Sequence, residues 1–155
     1  MAFHQRLKRQ QSGDCVYIQI SIGANVPKEA SKTIYLTHTK DKGRGVFAGK
    51  SFKAGEVIER APVIVIPGEQ WKHIKKTIIF NYVFCWEENT DDTALALGYG
   101  SFYNHSYSPN ADCDNDLDEQ EIIFKAIRNI ERGEEITINY NGLGDKSPLW
   151  FEVAS

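Results

Sequence analysis

Three stretches of the sequence hold the residue types that binding and catalytic sites use. The first is Lys42-Gly43-Arg44-Gly45, in which two glycines one residue apart let the backbone turn sharply and approach a ligand closely. By itself, a Gly-x-Gly pair is more often a simple turn. It is not a dinucleotide-binding fingerprint either, because no third glycine and no helix start follow it.

The second stretch, Gly98 to Asn110, has the most varied chemistry. It reads Gly-Tyr-Gly-Ser-Phe-Tyr-Asn-His-Ser-Tyr-Ser-Pro-Asn, so aromatic rings, an amide, an imidazole and hydroxyls follow one another closely. Rigid aromatics mixed with polar groups are typical of a pocket wall. A polar loop whose Asn and His side chains cap backbone groups has the same composition, so composition alone leaves both interpretations open.

The third stretch begins at the Gly133-Glu134-Glu135 turn and continues through Ile136-Thr137-Ile138-Asn139 to Tyr140. A hairpin strand that ends in a core tyrosine has the same pattern. The histidine of the second stretch, His105, does not indicate a hydrolase, because no Gly-x-Ser-x-Gly elbow or comparable nucleophile accompanies it.

The elements that must position these residues have mostly β-type patterns. Runs rich in Ile, Val, Thr and Tyr predict strands at Val16–Ile22, Thr33–Thr37, Val57–Arg60, Val63–Ile66, Glu121–Ala126 and Ile136–Tyr140. Trp71, Ile74 and Ile78 recur at helical spacing and predict one helix over Glu69–Phe80. The acidic segment Asp112–Glu121 predicts a solvated loop that could attract basic protein segments. Its alternating aspartates could also hold calcium, but the glycine and distal glutamate of an EF-hand loop are missing.

One pattern occurs twice in the chain, with a separation of 78 positions (126 − 48 = 78). The matching residues are Ala48, Phe52, Gly55, Glu56 and Ile58 in the first copy and Ala126, Ile130, Gly133, Glu134 and Ile136 in the second. Each copy predicts a strand, an apolar anchor, a glycine turn and a second strand. Two such hairpins could pack around a shared centre, although a common turn motif could also arise twice.

Length and composition limit the class of protein. A chain of 155 residues with 41% hydrophobic residues has room for one domain with one core. A formal charge of −3 gives no support for a nucleic-acid binder, and no signal peptide or membrane span is evident. We therefore expect a cytoplasmic protein, or a nuclear one if its source is eukaryotic. The scattered Cys15, Cys85 and Cys113 predict neither a disulfide framework nor a zinc site.

Taken in order, the three stretches resemble the SET domain. Members of that family show a Gly-x-Gly near the start, Asn-His-Ser followed by Pro-Asn in the middle, and Gly-Glu-Glu-Ile-Thr-x-x-Tyr near the end. The match runs from about Thr33 to Tyr140, and the short length resembles the minimal viral and bacterial members. The resemblance implies a mostly-β (β-clip) fold of short antiparallel sheets with one or two short helices. It also implies a C-terminal pseudoknot, in which the strand ending at Tyr140 passes under the Asn104–His105 segment.

The resemblance also implies an organisation and an activity. Residues 1–32 would be an N-terminal extension with one strand, 33–141 the SET domain, and 142–155 a segment that closes the active site. The implied activity is transfer of a methyl group from S-adenosylmethionine to a lysine side chain of a protein, with a histone or another basic protein as substrate. No contact with nucleic acid or membrane is implied, and a homodimer is left open. The alternative is a catalytically silent SET-like module that binds a peptide or cofactor.

Individual roles follow from the same resemblance. Tyr140 corresponds to the catalytic tyrosine of the family. Cofactor binding is implied for Lys42, Gly43, Arg44, Gly45, Tyr82, Asn104, His105, Tyr140 and Trp150. The substrate channel would be lined by Tyr82, Tyr99, Phe102, Tyr103 and Tyr140. Tyr107 stands where many relatives have a zinc-binding cysteine and no cysteine follows Tyr140, so we expect no metal. Asn139 stands where an aspartate often precedes the tyrosine.

Overall fold

The computed structural model describes residues 32–149. The predicted strand Val16–Ile22 and the predicted site residue Trp150 lie outside them. The strands are β1 Ile34–His38, β2 Arg44–Ala48, β3 Val57–Ile66, β4 Val83–Cys85, β5 Thr93–Ala96, β6 Asn104–His105, β7 Ala111–Asp116, β8 Glu121–Ala126 and β9 Glu135–Ile138. The helical segments are α1 (Trp71–Ile74) and three 3₁₀ turns, Gly68–Gln70, Ile78–Tyr82 and Gly100–Phe102. Among these helices, none is long and apolar enough to cross a membrane.

The strands form two sheets, which confirms the predicted mostly-β fold. The first sheet has the order β1-β2-β9-β6 and the second the order β4-β5-β3-β8-β7. Most pairs are antiparallel, but β6 and β9 run parallel, with Asn104 opposite Thr137 and His105 opposite Ile138. This pairing places the second and third chemistry-bearing stretches side by side, although about thirty residues separate them along the chain.

The two copies of the repeated pattern pack against each other. Their apolar anchors, Phe52 and Ile130, form an isolated antiparallel bridge outside both sheets. Both anchors belong to one hydrophobic core that also contains Val46 and Ile136 from the first sheet and Phe124 from the second. The predicted shared centre is therefore present, but the two copies are not hairpins, because β2 and β3 lie in different sheets, as do β8 and β9.

One long strand replaces two predicted ones. The runs predicted as Val57–Arg60 and Val63–Ile66 are both part of β3. Up to Pro62 the strand pairs with β8, and from Val63 onward it pairs with β5 on its other edge. Pro62, which has no N–H to donate, stands where the partner changes, so the strand continues through it. The strand predicted as Ile136–Tyr140 is also shifted, because β9 spans Glu135–Ile138.

The predicted helix over Glu69–Phe80 is broken into short pieces. Thr77 has extended backbone angles of φ −121° and ψ 166°, and its side chain accepts a hydrogen bond from the Ile79 N–H. This cap starts a new 3₁₀ turn and ends the preceding helical run. Ile78 is 70% exposed, so its helical spacing from Trp71 and Ile74 does not mark a buried face.

The prediction of a solvated acidic loop over Asp112–Glu121 was wrong. Half of this segment, residues 112–116, belongs to β7, the edge strand of the second sheet, which is joined to β8 by a turn over residues 117–120. Its charge is partly compensated, because Lys125 pairs with Asp114 at 3.1 Å and Arg60 with Asp116 at 3.5 Å. Charged side chains on an edge strand also discourage pairing with other chains.

Candidate active site

The Asn104 side chain connects all three chemistry-bearing stretches. Its Nδ2 donates to Glu135 Oε1 at 2.7 Å and to the Arg44 carbonyl oxygen at 3.2 Å. Gly45 makes this possible, since a Cβ added there would lie 2.6 Å from both Asn104 Nδ2 and Glu135 Oε1. The second glycine of the Gly-x-Gly pair is therefore required for packing beneath the amide.

His105 follows Asn104 in β6 and is buried, with 3% of its surface exposed. Its Nδ1 accepts a hydrogen bond from the Tyr140 N–H at 3.2 Å, and its carbonyl oxygen accepts one from Lys42 Nζ at 3.2 Å. Burial, together with the positive charge of Lys42, lowers the pKa of His105. The ring is therefore neutral near pH 7 and, because Nδ1 is an acceptor, its proton is on Nε2. Within residues 32–149, that buried Nε2 has no hydrogen-bond partner.

The Tyr140 hydroxyl donates a hydrogen bond to the main-chain carbonyl oxygen of Tyr103 at 2.8 Å. Burial, with smaller contributions from Tyr82 and Glu135, raises the pKa of Tyr140 to about 12. The phenol is therefore protonated at neutral pH. Because its proton is directed to Tyr103, the phenol acts toward any further polar group as an acceptor.

A cavity of about 510 Å³ lies beside Tyr140. Its aromatic walls are Trp71, Phe80, Tyr82, Phe84, Tyr103 and Tyr140. The described residues that line it also include Asp112 and Asp114, the latter paired with Lys125, but no lysine or arginine. Aromatic rings attract cations through their faces, and carboxylates attract them through charge. The cavity therefore suits an apolar stem that carries a basic group.

The predicted site residues form two groups that share Tyr140. Lys42, Arg44, Asn104 and His105 form the polar group described above, and none of them lines the cavity. Tyr82 and Tyr103, two of the predicted channel residues, do line it.

Tyr99 and Phe102, the other predicted channel residues, do not line that cavity. Phe102 lies under the Arg44 guanidinium, 4.8 Å from ring centroid to carbon, and makes an edge contact with Tyr82 at 6.3 Å. Tyr99 packs against the hydrophobic core. Phe102 thus lies behind the lining residue Tyr82, and Tyr99 belongs to the core rather than to the channel.

Sequence reasoning missed two polar residues that hold the site together. Asn110 is buried, donates to Glu134 Oε1 at 3.0 Å and to the Glu135 carbonyl oxygen at 2.7 Å, and accepts the Thr137 N–H at 2.8 Å. Its position in the Pro-Asn pair of the second stretch could have indicated it. Glu59, in the middle of β3, accepts hydrogen bonds from Tyr99 and Tyr103, and no local pattern distinguishes it.

Hydrogen bonds hold the chain that follows Tyr140 close to the site. Asn139 Nδ2 donates to the Asp145 carbonyl oxygen at 2.6 Å, and both Asn141 Nδ2 and the Tyr107 hydroxyl donate to the Ser147 carbonyl oxygen. Tyr107 and Asn139, the two departures from the family pattern, thus both contact this segment. In the part of the chain that the structure covers, no group of three or more His, Cys, Asp or Glu residues could hold a metal ion. The absence of zinc stays a prediction.

Comparison with known proteins identifies the class of this fold and site. The model of the SET domain matches residues 43–141, which is more than half of the chain. A solved structure of a candidate histone methyltransferase from Plasmodium falciparum superposes with a TM-score of 0.56 at 31% identity. The superposition covers 70% of this chain and 93% of that one. The chain belongs to the SET-domain family.

Two sequence relatives are histone-lysine N-methyltransferases. The H3 lysine-37-specific enzyme of Schizosaccharomyces pombe is 37% identical over 118 residues, which is 76% of each chain. The H3 lysine-4-specific enzyme of Aspergillus oryzae is 28% identical over 140 residues, which is 84% of this chain. This chain spans only 11% of the length of that Aspergillus protein.

Proposed function

We propose that this protein transfers a methyl group from S-adenosylmethionine to a lysine side chain of a histone or another basic protein. Membership of the SET-domain family and the similarity to histone-lysine methyltransferases establish a lysine methyltransferase as the activity class. The identities of the methyl donor and of the substrate are what we propose. One observation carries the proposal: Tyr140 bonds to His105 in the polar group and also lines the aromatic cavity.

The polar group has the chemistry that S-adenosylmethionine requires. Lys42 and Arg44 carry positive charge that suits a carboxylate, and Gly43 has no atom within 4 Å of the place where a Cβ would be. The buried Nε2 of His105 has a proton to donate and, among residues 32–149, nothing to receive it. A ring nitrogen of a purine can accept that hydrogen bond. These residues fit the donor, which supplies an electrophilic methyl group when bound.

The main chemical difficulty of the substrate is the positive charge of its lysine. A lysine amine must be neutral to act as a nucleophile, yet the pKa of free lysine is about 10.4. Near pH 7.4 the neutral form is therefore about 4 kcal/mol less stable than the ammonium, at about 1.36 kcal/mol per pKa unit. Aromatic walls remove water from the amine and so lower its pKa. Asp112 and Asp114, which also line the cavity, favour the approach of a basic segment but oppose the loss of the amine's charge, so desolvation by the aromatic walls must outweigh them.

Tyr140 positions the amine and does not remove its proton. With a pKa raised to about 12, its phenol is a poor base at neutral pH. Its oxygen can instead accept a hydrogen bond from the amine, because its own proton is donated to Tyr103. Holding the nitrogen in line with the methyl group is the catalytic gain expected from such a contact.

The first test is methyl transfer from tritium-labelled S-adenosylmethionine to purified core histones. We expect the wild type to label a histone and the Tyr140→Phe variant to lose about 100-fold or more in kcat, with little change in cofactor affinity. Tyr35→Phe is the matched control, since Tyr35 lies on β1 and stacks on Phe47. Equal activity of the Tyr140→Phe variant and the wild type would contradict the role assigned to Tyr140.

Binding of S-adenosylmethionine, measured by calorimetry, separates the enzyme from a silent SET-like module. We expect saturable binding that Asn104→Ala weakens, with a thermal melt to show that the variant is folded. Binding without transfer to any histone or basic protein would favour the silent module. Absence of both would contradict the proposed function.

A further inference from the structure

Glu59 is a carboxylate that the mechanism above does not use. It lies on β3 at an irregularity where the register with β8 shifts between Val57 and Glu59. Such bulges redirect side chains out of the regular pleat. Glu59 Oε1 accepts the Tyr99 N–H at 2.9 Å, and Oε2 accepts the Tyr103 hydroxyl at 2.9 Å.

One carboxylate thereby holds both ends of a single helical turn. Tyr99 and Tyr103 directly flank the 3₁₀ turn Gly100–Phe102. The turn passes close to the carboxylate, since a Cβ added at Gly98 would lie 2.6 Å from Glu59 Oε1. Gly98 has a φ of +65°, which glycine adopts without strain.

Tyr103 has little freedom once this bond is made. Its side chain is only 2% exposed, and its ring stacks on Phe124 with centroids 4.3 Å apart. Burial, with the adjacent Glu59 carboxylate, raises the pKa of Tyr103, so its phenol stays protonated and donates. Burial also raises the pKa of Glu59, partly offset by the two hydrogen bonds that it accepts.

The backbone of the same Tyr103 bonds to the catalytic tyrosine. Its carbonyl oxygen accepts the Tyr140 hydroxyl at 2.8 Å. A continuous series of hydrogen bonds and rigid covalent links therefore runs from Glu59 through Tyr103 to the Tyr140 oxygen. We infer that Glu59 is a positioning residue for methyl transfer, which holds the Tyr103 carbonyl where it orients the Tyr140 hydroxyl. The inference rests on the proposed function.

Glu59→Gln and Tyr103→Phe test the inference. Glutamine offers one acceptor and one donor where two donors converge, and Tyr103→Phe deletes the hydroxyl but keeps the stacked ring. We expect each variant to lower kcat about 10- to 100-fold, since small misplacements of reacting groups have effects of that size. The KM values for S-adenosylmethionine and for the protein substrate should change less than about twofold to threefold. Glu87→Gln, at an exposed turn, and Tyr35→Phe are the matched controls.

A double-mutant cycle distinguishes positioning from a general structural role. In the Tyr140→Phe background, Glu59→Gln should reduce the residual kcat less than about twofold, because the group that it positions is already gone. Full additivity of the two losses would overturn the inference, and so would wild-type kcat in folded Glu59→Gln.

A spectroscopic measurement reports on the same link without a substrate. With tyrosine labelled by ¹³C at Cζ, the Tyr140 signal, assigned through Tyr140→Phe, should move in Glu59→Gln and stay in Glu87→Gln. An unmoved signal would overturn the inference even in an active enzyme. An inactive wild type would instead contradict the proposed function, and with it a role for Glu59 in methyl transfer.

Discussion

Phe52 and Ile130 exchange both of their backbone hydrogen bonds. The Phe52 N–H donates to the Ile130 carbonyl oxygen at 2.8 Å, and the Ile130 N–H donates to the Phe52 carbonyl oxygen at 2.9 Å. Their side chains are 1% and 0% exposed. The two residues occupy equivalent positions in the two copies of the repeated pattern.

The bonds around this pair are also reciprocal. The Ala48 N–H donates to the Glu134 carbonyl oxygen at 2.9 Å. The equivalent residues of the other copy do the same, since the Ala126 N–H donates to the Glu56 carbonyl oxygen at 3.0 Å. Each copy also contains an ion pair, Lys50 with Glu56 in the first and Arg128 with Glu134 in the second. The two copies are thus related by a local twofold arrangement, and each one connects a strand of the first sheet with a strand of the second.

We expect Phe52→Ala to lower the free energy of unfolding by about 3–5 kcal/mol and Ile130→Ala by about 2–5 kcal/mol. Both substitutions remove buried side chains from the same place, so the double variant should lose less than the sum of the two. Urea unfolding measures these values. Ile78→Ala, at an exposed side chain, is the control and should change stability by about 0.5 kcal/mol or less. If Phe52→Ala lowered the free energy of unfolding by less than about 1 kcal/mol, the Phe52–Ile130 pair would not be a main source of core stability.

The Glu134 carboxylate should make stability depend on pH. Burial alone would raise its pKa, but hydrogen bonds from Arg128, Asn110 and the Glu131 N–H outweigh burial and lower the pKa. Since the folded pKa lies below the unfolded one, this stabilisation is complete above a pH of about 4.3 to 4.5 and is lost as pH falls through the folded pKa. Glu134→Gln should therefore be less stable than the wild type at pH 7.

The measurement is urea unfolding of wild type and Glu134→Gln between pH 7 and pH 3. The difference in the free energy of unfolding between the two proteins should become smaller below about pH 4.5. Glu87→Gln should match the wild type across the whole range. If the difference in the free energy of unfolding grew as pH fell, the pKa of Glu134 would be raised in the folded protein, which would contradict the prediction.

The two glycines of the first stretch should respond to alanine for different reasons. Gly45→Ala places a methyl group 2.6 Å from Asn104 Nδ2 and Glu135 Oε1, and such overpacking lowers stability by about 1–3 kcal/mol. The same change should separate Asn104 from Arg44 and weaken S-adenosylmethionine binding. Gly43→Ala meets open space, but a φ of +78° makes the change unfavourable by about 1–2 kcal/mol.

Calorimetry and urea unfolding on both variants check this prediction. Gly55→Ala, at a φ of +84° with open space around the added Cβ, is the matched control for backbone strain away from the site. Unchanged affinity in folded Gly45→Ala would mean that the contact between Asn104 and the Gly-x-Gly turn does not shape the cofactor site.

His105 should be the Nε2–H tautomer and titrate below its ordinary pKa of about 6.5, because burial and Lys42 lower that pKa. Long-range ¹H–¹⁵N NMR spectra of the imidazole, recorded from pH 8 to pH 5, report both properties. Stability linked to the neutral ring is complete above about pH 6.5 and falls as pH decreases through the folded pKa. An Nδ1–H tautomer would contradict the bond from the Tyr140 N–H. Lys42→Met, which removes the nearby charge, should raise the titration midpoint.

The sequence by itself determined the family, the mostly-β character and the residues around which the site forms. Gly43-Arg44-Gly45, Asn104-His105 and Tyr140 are recognisable because each stretch combines turn-forming and polar residues in a short, fixed order. The repeat was visible for the same reason, since matching residues recur at one constant separation. Patterns of this kind act over a few residues and can be recognised without knowledge of distant partners.

Only the tertiary structure decided which residues meet. Glu59 sits in an ordinary strand pattern, and its bonds to Tyr99 and Tyr103 span 40 and 44 positions, so no local signal indicated it. The acidic segment was mistaken for a loop because its partners, Lys125 and Arg60, are supplied by neighbouring strands. Charge compensation, register and burial depend on contacts between distant parts of the chain, and these form only when the chain folds.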